Sequence, residues 1–179
     1  MSKPNKTGKR ALIVIDVQND YFADGLFPQW EAERVLENSL TAIAHASAAG
    51  DDVILIQHIA ANDAGPAPFF NPDTPGVELH PKLLAAVPAA TRVVKQHADS
   101  FLNTRLHAVL LASGCTELLL CGMMTQNCVT HTALSPLASG YRMAVIPEAC
   151  SSVSQMIHLI ALRALSDRVP LLSLAAAWD

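Results

Sequence analysis

Three residues stand where this chain could do chemistry. Asp16 closes an apolar run, Ala11-Leu-Ile-Val-Ile15, where a carboxylate is costly unless it is paired or hydrogen-bonded. Lys95 ends a second β-rich run, Arg92-Val-Val94. Cys128 follows a third run, which ends at Gly122. An acid, an ammonium and a thiol are the parts of nucleophilic thiol catalysis: a base takes the proton and the sulfur attacks a carbonyl carbon. Each has a plainer reading alone. Asp16 would cap the turn at Val17–Asp20, Lys95 would be a solvated strand end, and Cys128 a buried structural thiol, a reading that fits Cys121 and Cys150 better. Taken together the balance reverses, because an ammonium and a carboxylate offset each other's burial cost. In Thr125-Gln-Asn-Cys128, Asn127 or Thr125 is expected to cap a following helix. A first-turn thiol beside a lysine is then expected to titrate below its ordinary value of about 8.5.

Those residues need elements to carry them. Three times an amphipathic stretch ends at a glycine and a short apolar run follows: Glu31–Ala49 with Gly50 and Val53–Ile56, Thr104–Ser113 with Gly114 and Leu118–Cys121, and Cys128–Ser139 with Gly140 and Met143–Ile146. Strands apolar on both faces belong to buried parallel sheets, and their alternation with helices predicts an α/β, three-layer doubly wound, Rossmann-like sheet. Six mostly parallel strands are expected, near 10–16, 53–58, 92–96, 117–122, 142–147 and 170–174. Residues 62–81, with five prolines and two glycines, read as a long loop. Pro136 should kink the helix after Cys128. Ligands in such folds bind beyond the carboxyl ends of the strands, where Asp16, His58, Lys95 and Cys128 all fall.

Composition narrows the function classes. The 179 residues suit one domain over 10–179, behind a polar, frayed tail at 1–9. A net charge of −4 argues against nucleic acid as a partner. No apolar run approaches a membrane span and no signal peptide is evident, so a cytoplasmic location is expected. The four cysteines form no C-x-x-C pair and are expected as free thiols. No G-x-G-x-x-G follows the first strand, so dinucleotide binding is unsupported.

Three blocks carry a family resemblance: Ala11-Leu-Ile-Val-Ile-Asp-Val-Gln-Asn-Asp-Tyr-Phe22; Val93-Val-Lys-Gln-His-Ala-Asp-Ser-Phe101 with Thr104; and Cys121-Gly-Met-Met-Thr-Gln-Asn-Cys-Val129 with Thr132, leading to Gly140-Tyr141. In this order and spacing the sequence resembles the isochorismatase-like cysteine hydrolases, which include the nicotinamidases. The resemblance implies a catalytic triad of Asp16, Lys95 and Cys128. It also implies a cis peptide between Met123 and Met124, and an oxyanion hole made by the backbone amides of Met124 and Cys128. Cleavage of a C–N bond in a small amide-like substrate would follow, through a thioester. Phe22, Phe101, Met123 and Met124 are expected to line the substrate pocket, with Phe69 and Phe70 covering it. Nicotinamidases carry a metal set beginning Asp-x-His; here Ile56 stands two places before His58, so no metal and no other cofactor is expected, although His80 is a conceivable partner for His58. Family members commonly assemble, so a homo-oligomer, dimer or tetramer, is expected. Two rivals stay open: vinyl-ether hydrolysis of the isochorismatase type, which does not need the thiol, and a non-catalytic small-molecule binding module.

Overall fold

Runs of Val, Ile and Leu build a five-stranded parallel sheet in the computed structural model, which describes residues 8–61, 63 and 65–179. The strands are β1 (Lys9–Ile15), β2 (Asp52–His58), β3 (Thr91–Lys95), β4 (Cys115–Met123) and β5 (Arg142–Ser151), in the order β3-β2-β1-β4-β5. β1 lies at the centre, and its Ala11 to Ile15 are fully buried. The chain walks outward from β1 to β2 and β3, then crosses to β4 and walks outward the other way. The switch point of this doubly wound sheet therefore lies between β1 and β4.

The helices are α1 (Ala32–Ala49), α2 (Pro81–Ala86), α3 (Leu106–Ser113), α4 (Thr130–Ala133) and α5 (Gln155–Leu165). α1 buries Val35, Leu36, Ala42, Ile43 and Ala46 along one stripe, the 3.6-residue period legible in the sequence. Gly50 ends it at φ 73°, returning its N–H to the carbonyls of Ala46 and Ser47. Gly114 ends α3 in the same way.

Several expectations need correction. The sixth strand, 170–174, is reduced to a single parallel bridge between Leu171 and Val145. Pro170 has no N–H to offer a ladder, and Ser173 already caps the final helical turn, Ala176–Trp178. The helix expected over Cys128–Ser139 is broken. A π-turn at Thr125–Val129 leads into the four-residue α4, and the chain restarts as a short 3-10 turn at Pro136–Ala138, capped by Ser135. Pro136 thus ends the helix rather than kinking it, because it forces Ser135 into an extended conformation and then suits the first position of the new turn. The expected long loop is kept, and among its described residues it holds a helical turn at Pro75–Val77 and a pairing of Leu79 with Gln18. The helices α2 and α5 were not anticipated. Of the expected tail, residues 1–7 lie outside the described residues, and Lys9 is already part of β1. Among the described residues no helix is long and apolar enough to cross a membrane.

Gly122 sits beside the site in β4 at φ 115°, and a Cβ there would run into the backbone carbonyl of Ile15 in β1. Both objections are to backbone, which cannot swing aside. Gly122→Ala should therefore cost about 2 kcal/mol or more. Urea unfolding followed by circular dichroism checks this, and an unchanged midpoint would refute the packing account.

Candidate active site

Asp16 follows the last residue of β1 and turns the chain out of the sheet at φ 51°, a left-handed conformation that aspartate tolerates better than most residues. Its own N–H is held by Ile56 O of β2 at 3.1 Å. Lys95 ends β3, two strands away. Its Nζ lies 2.8 Å from Asp16 Oδ2, and both side chains are completely buried. The loop after β3 curls back, so that the ammonium also donates to His97 O at 3.1 Å and meets His58 Nδ1 at 3.1 Å. Among the described residues no backbone amide or hydroxyl donates to either oxygen of Asp16. That carboxylate depends on Lys95 and on what lies across the cleft.

Across the cleft lies Cys128. An oxygen of Asp16, a ring nitrogen of His58 and Cys128 Sγ fall within 4.8 Å of one another. The structure thus brings Asp16, Lys95 and Cys128 together and adds His58. The π-turn carrying Cys128 is fixed from three sides. Thr125 Oγ1 donates to Ser151 O of β5 at 2.9 Å and contacts His158 Nδ1 of α5 at 2.8 Å. Thr130 Oγ1 donates to Thr125 O at 2.6 Å. Neither Thr125 nor Asn127 caps the turn with its side chain; Met124 occupies the cap position without a side-chain bond. The Met123–Met124 peptide bond is cis.

A latch joins the lysine loop to the cysteine turn. Thr132 Oγ1 donates to Ser100 Oγ at 2.8 Å and accepts from Ser100 N at 3.0 Å, while Thr104 Oγ1 donates to Ser100 O at 2.6 Å. Gln18 performs the same service for β2. Its amide accepts from His58 N at 2.8 Å and donates to His58 O at 2.8 Å and to Val77 O at 2.6 Å. Sequence reasoning missed Gln18, His158 and the role of His58 beside Lys95. Gln18 had a weak signal, a polar residue within a buried stretch, and His58 had its place at the end of the second strand; His158 had none.

The expected pocket residues are all buried. Phe22 packs on His80, with ring centres 4.6 Å apart, and Phe101 stacks on Tyr141. Met123 is sealed within β4, whereas Phe22 and Met124 keep a little surface. Phe69 and Phe70 join Tyr21 and Phe27 in an aromatic cluster over the site, with Phe70 4.6 Å from Tyr21 and 5.9 Å from His58. Phe70 N donates to the buried Asp20 at 2.7 Å, which ties the long loop to the end of β1. Beside Lys95 a cavity of about 320 Å³ is lined by Ile59, Val94, Gln96, His97 and Asn103.

The oxygen, nitrogen and sulfur donors would suit a transition metal by type. They do not fit one here, because the Lys95 ammonium already stands at 2.8 Å from Asp16 and 3.1 Å from His58. His80 is engaged elsewhere: its Nδ1 accepts Lys82 N–H at 3.2 Å and caps α2.

The thiol does not behave as the sequence suggested. Burial first, and then the Asp16 charge, push Cys128 up to about 12, and Lys95 only partly opposes them. The reason is structural: α4 is four residues long and starts after Cys128, so it offers little helix dipole. Lys95 is raised above its ordinary value despite burial, through Asp16 and Cys128. Both shifts weaken the fold in alkali. The unfolded chain gives up the thiol proton near 8.5 and the lysine proton near 10.4, about where these groups titrate when free. The folded chain keeps both protons to higher pH, so their contributions are complete below those values and fade above them. Cys128→Ala should flatten the loss of stability between about pH 9 and 12. Lys95→Met, which leaves Asp16 buried and unpaired, should cost about 3–5 kcal/mol, and adding Asp16→Asn should recover part of it. Denaturant unfolding across pH measures both.

A family model, the isochorismatase domain, matches residues 10–176. An uncharacterized isochorismatase family protein of Bacillus subtilis is 36% identical over 148 residues, covering 83% of this chain and 81% of that protein. A streptothricin hydrolase of Streptomyces noursei is 36% identical over 171 residues, covering 94% of this chain, which spans only 58% of that longer protein. Among solved structures, a nicotinamidase from Bacillus subtilis superposes with a TM-score of 0.80 at 25% identity, covering 92% of this chain and 99% of that one. With the sheet, the switch-point site and these matches in agreement, the chain belongs to the isochorismatase family of hydrolases.

Proposed function

We propose that this hydrolase cleaves the C–N bond of a small amide through a thioester on Cys128. The observation that carries the reading is the convergence of Asp16, Lys95 and Cys128, with no backbone or hydroxyl donor to Asp16 among the described residues. A carboxylate so placed is free to accept the thiol proton. Because the resting thiol is held protonated by burial, ionisation accompanies attack: Asp16 takes the proton as sulfur bonds to the substrate carbonyl carbon. The backbone amides of Met124 and Cys128 form the oxyanion hole, each worth about 3 kcal/mol in comparable sites. Asp16 returns the proton to the leaving nitrogen, and the amine departs. Water, deprotonated by Asp16, then attacks the thioester carbonyl, the C–S bond breaks to release the acid, and Asp16 returns that proton to the Cys128 thiolate. Lys95 contacts no substrate in this scheme. It fixes the carboxylate and balances its charge.

The relative named nicotinamidase supports amide chemistry, and the thiol supports it over vinyl-ether hydrolysis, which has no use for a nucleophile. A screen of small amides, ureas and ureido acids for ammonia release tests the reading. Iodoacetamide should inactivate the protein, and mass spectrometry should find the label and, with a slow substrate, an acyl group on Cys128. Cys128→Ala should abolish turnover; normal activity in that variant would sink the covalent scheme. Asp16→Asn should lower kcat by roughly 10²- to 10⁴-fold, the usual contribution of a positioned base.

A further inference from the structure

His58 has no part in the scheme above, yet it stands inside the cluster. Its role follows from counting protons. An ammonium has three N–H groups and no lone pair. Lys95 Nζ has three close oxygen or nitrogen acceptors: Asp16 Oδ2 at 2.8 Å, His97 O at 3.1 Å and His58 Nδ1 at 3.1 Å, with Ala98 O more distant at 3.5 Å and the Cys128 sulfur also within its reach. His58 Nδ1 must therefore be the bare, accepting nitrogen, so a neutral ring carries its proton on Nε2. Burial favours the neutral ring and lowers the His58 pKa, with Lys95 acting in the same direction and Asp16 against it. Gln18 holds the His58 backbone by both N–H and C=O, so the ring is mounted rigidly. No protein acceptor bonds Nε2 among the described residues, and Nε2 is not among the fully buried orphan atoms. The residue is only half-buried. Its N–H therefore faces space that a small molecule can reach.

We propose that His58 is a substrate-contacting hydrogen-bond donor, fixed as the Nε2–H tautomer by Lys95, which selects amides carrying a second, uncharged acceptor close to the scissile carbonyl. The proposal deepens the amidase reading and rests on it for the identity of the bond cleaved. The charge of the preferred substrate follows from the same count. Every proton of Lys95 is taken, so the ammonium has none left for a substrate anion, and the Asp16 carboxylate beside it repels one. A neutral acceptor, such as a ring nitrogen or a second carbonyl oxygen, is what a lone imidazole N–H can hold.

Nitrogen-15 NMR of the histidine-labelled full chain, with His58→Phe to assign the signal, tests the tautomer first. His58 should show a bare Nδ1 and a protonated Nε2 at neutral pH, and Lys95→Met should release the ring into a mixture of tautomers. An Nδ1–H tautomer or an imidazolium in the unmodified chain would overturn the proposal. Recognition is tested in the Cys128→Ala chain by titrating pyridine-2-carboxamide against benzamide, which lacks the ring acceptor. The Nε2 signal should move with the first amide and much less with the second; equal or absent movement would overturn the assignment. In kinetics, His58→Phe should lower kcat/KM for pyridine-2-carboxamide by about 10- to 100-fold and level its preference over benzamide, while His58→Gln, which restores an N–H, recovers part. Undiminished preference in His58→Phe would also overturn it. Should the Nε2 signal move while the unmodified chain releases no ammonia, the amidase reading fails and the recognition role stands.

Discussion

The buried pair of Asp16 and Lys95 is the constraint around which the rest is arranged. Two opposite charges with no exposed side-chain surface survive only when geometry and further polar partners repay their lost hydration. The fold supplies those partners unevenly. Lys95 is surrounded by acceptors from the loop after β3 and from β2, whereas Asp16 relies on the ammonium. The asymmetry is chemically useful. A carboxylate ringed by amides would be a poor base, and a lysine short of acceptors would compete for the thiol proton's destination. Here the cation is fully engaged and the anion is left available to sulfur.

The same ammonium sets the charge balance among the donor atoms of the cluster. Oxygen, nitrogen and sulfur ligands are present by type, but a cation made of protein occupies the position between them. Charge compensation is thereby part of the polypeptide, and the His58 imidazole meets an N–H of that ammonium.

Much of this architecture was legible from residue order alone. Doubly apolar strands and glycine-terminated helices specify a parallel α/β sheet, and the rule that ligands gather at the carboxyl ends of strands brought Asp16, Lys95 and Cys128 to one edge. What stayed hidden depended on long-range partners. Nothing local marks Gln18 as the clamp of a residue 40 positions away, or His158 as a support for Thr125. The cysteine's titration was misread because a local signal, a capping residue before a helix, suggested a dipole that the four-residue α4 cannot generate. The sixth strand failed for a related reason: its composition suits a sheet, but Pro170 and the closing turn leave room for one bridge. The start of the 62–81 segment shows no periodicity, yet the buried carboxylate of Asp20 anchors it by accepting Phe70 N–H, while also accepting Leu26 N–H from its own loop.

The strand register carries a consequence for how this protein matures. Ile15 sits opposite Ile56 on one side and Gly122 on the other, and His58 sits opposite Lys95. The four chemical groups are thus contributed by β1, β2, β3 and the turn after β4, segments far apart along the chain. No hairpin or local fragment contains even two of the charged partners, and a one-residue slip in any pairing would turn a side chain to the opposite face. Assembly of the centre must wait for non-local pairing across most of the sheet, which is entropically late in folding. Formation of the Asp16–Lys95–Cys128 cluster is therefore a report on sheet completion: a partly assembled chain brings none of these groups together.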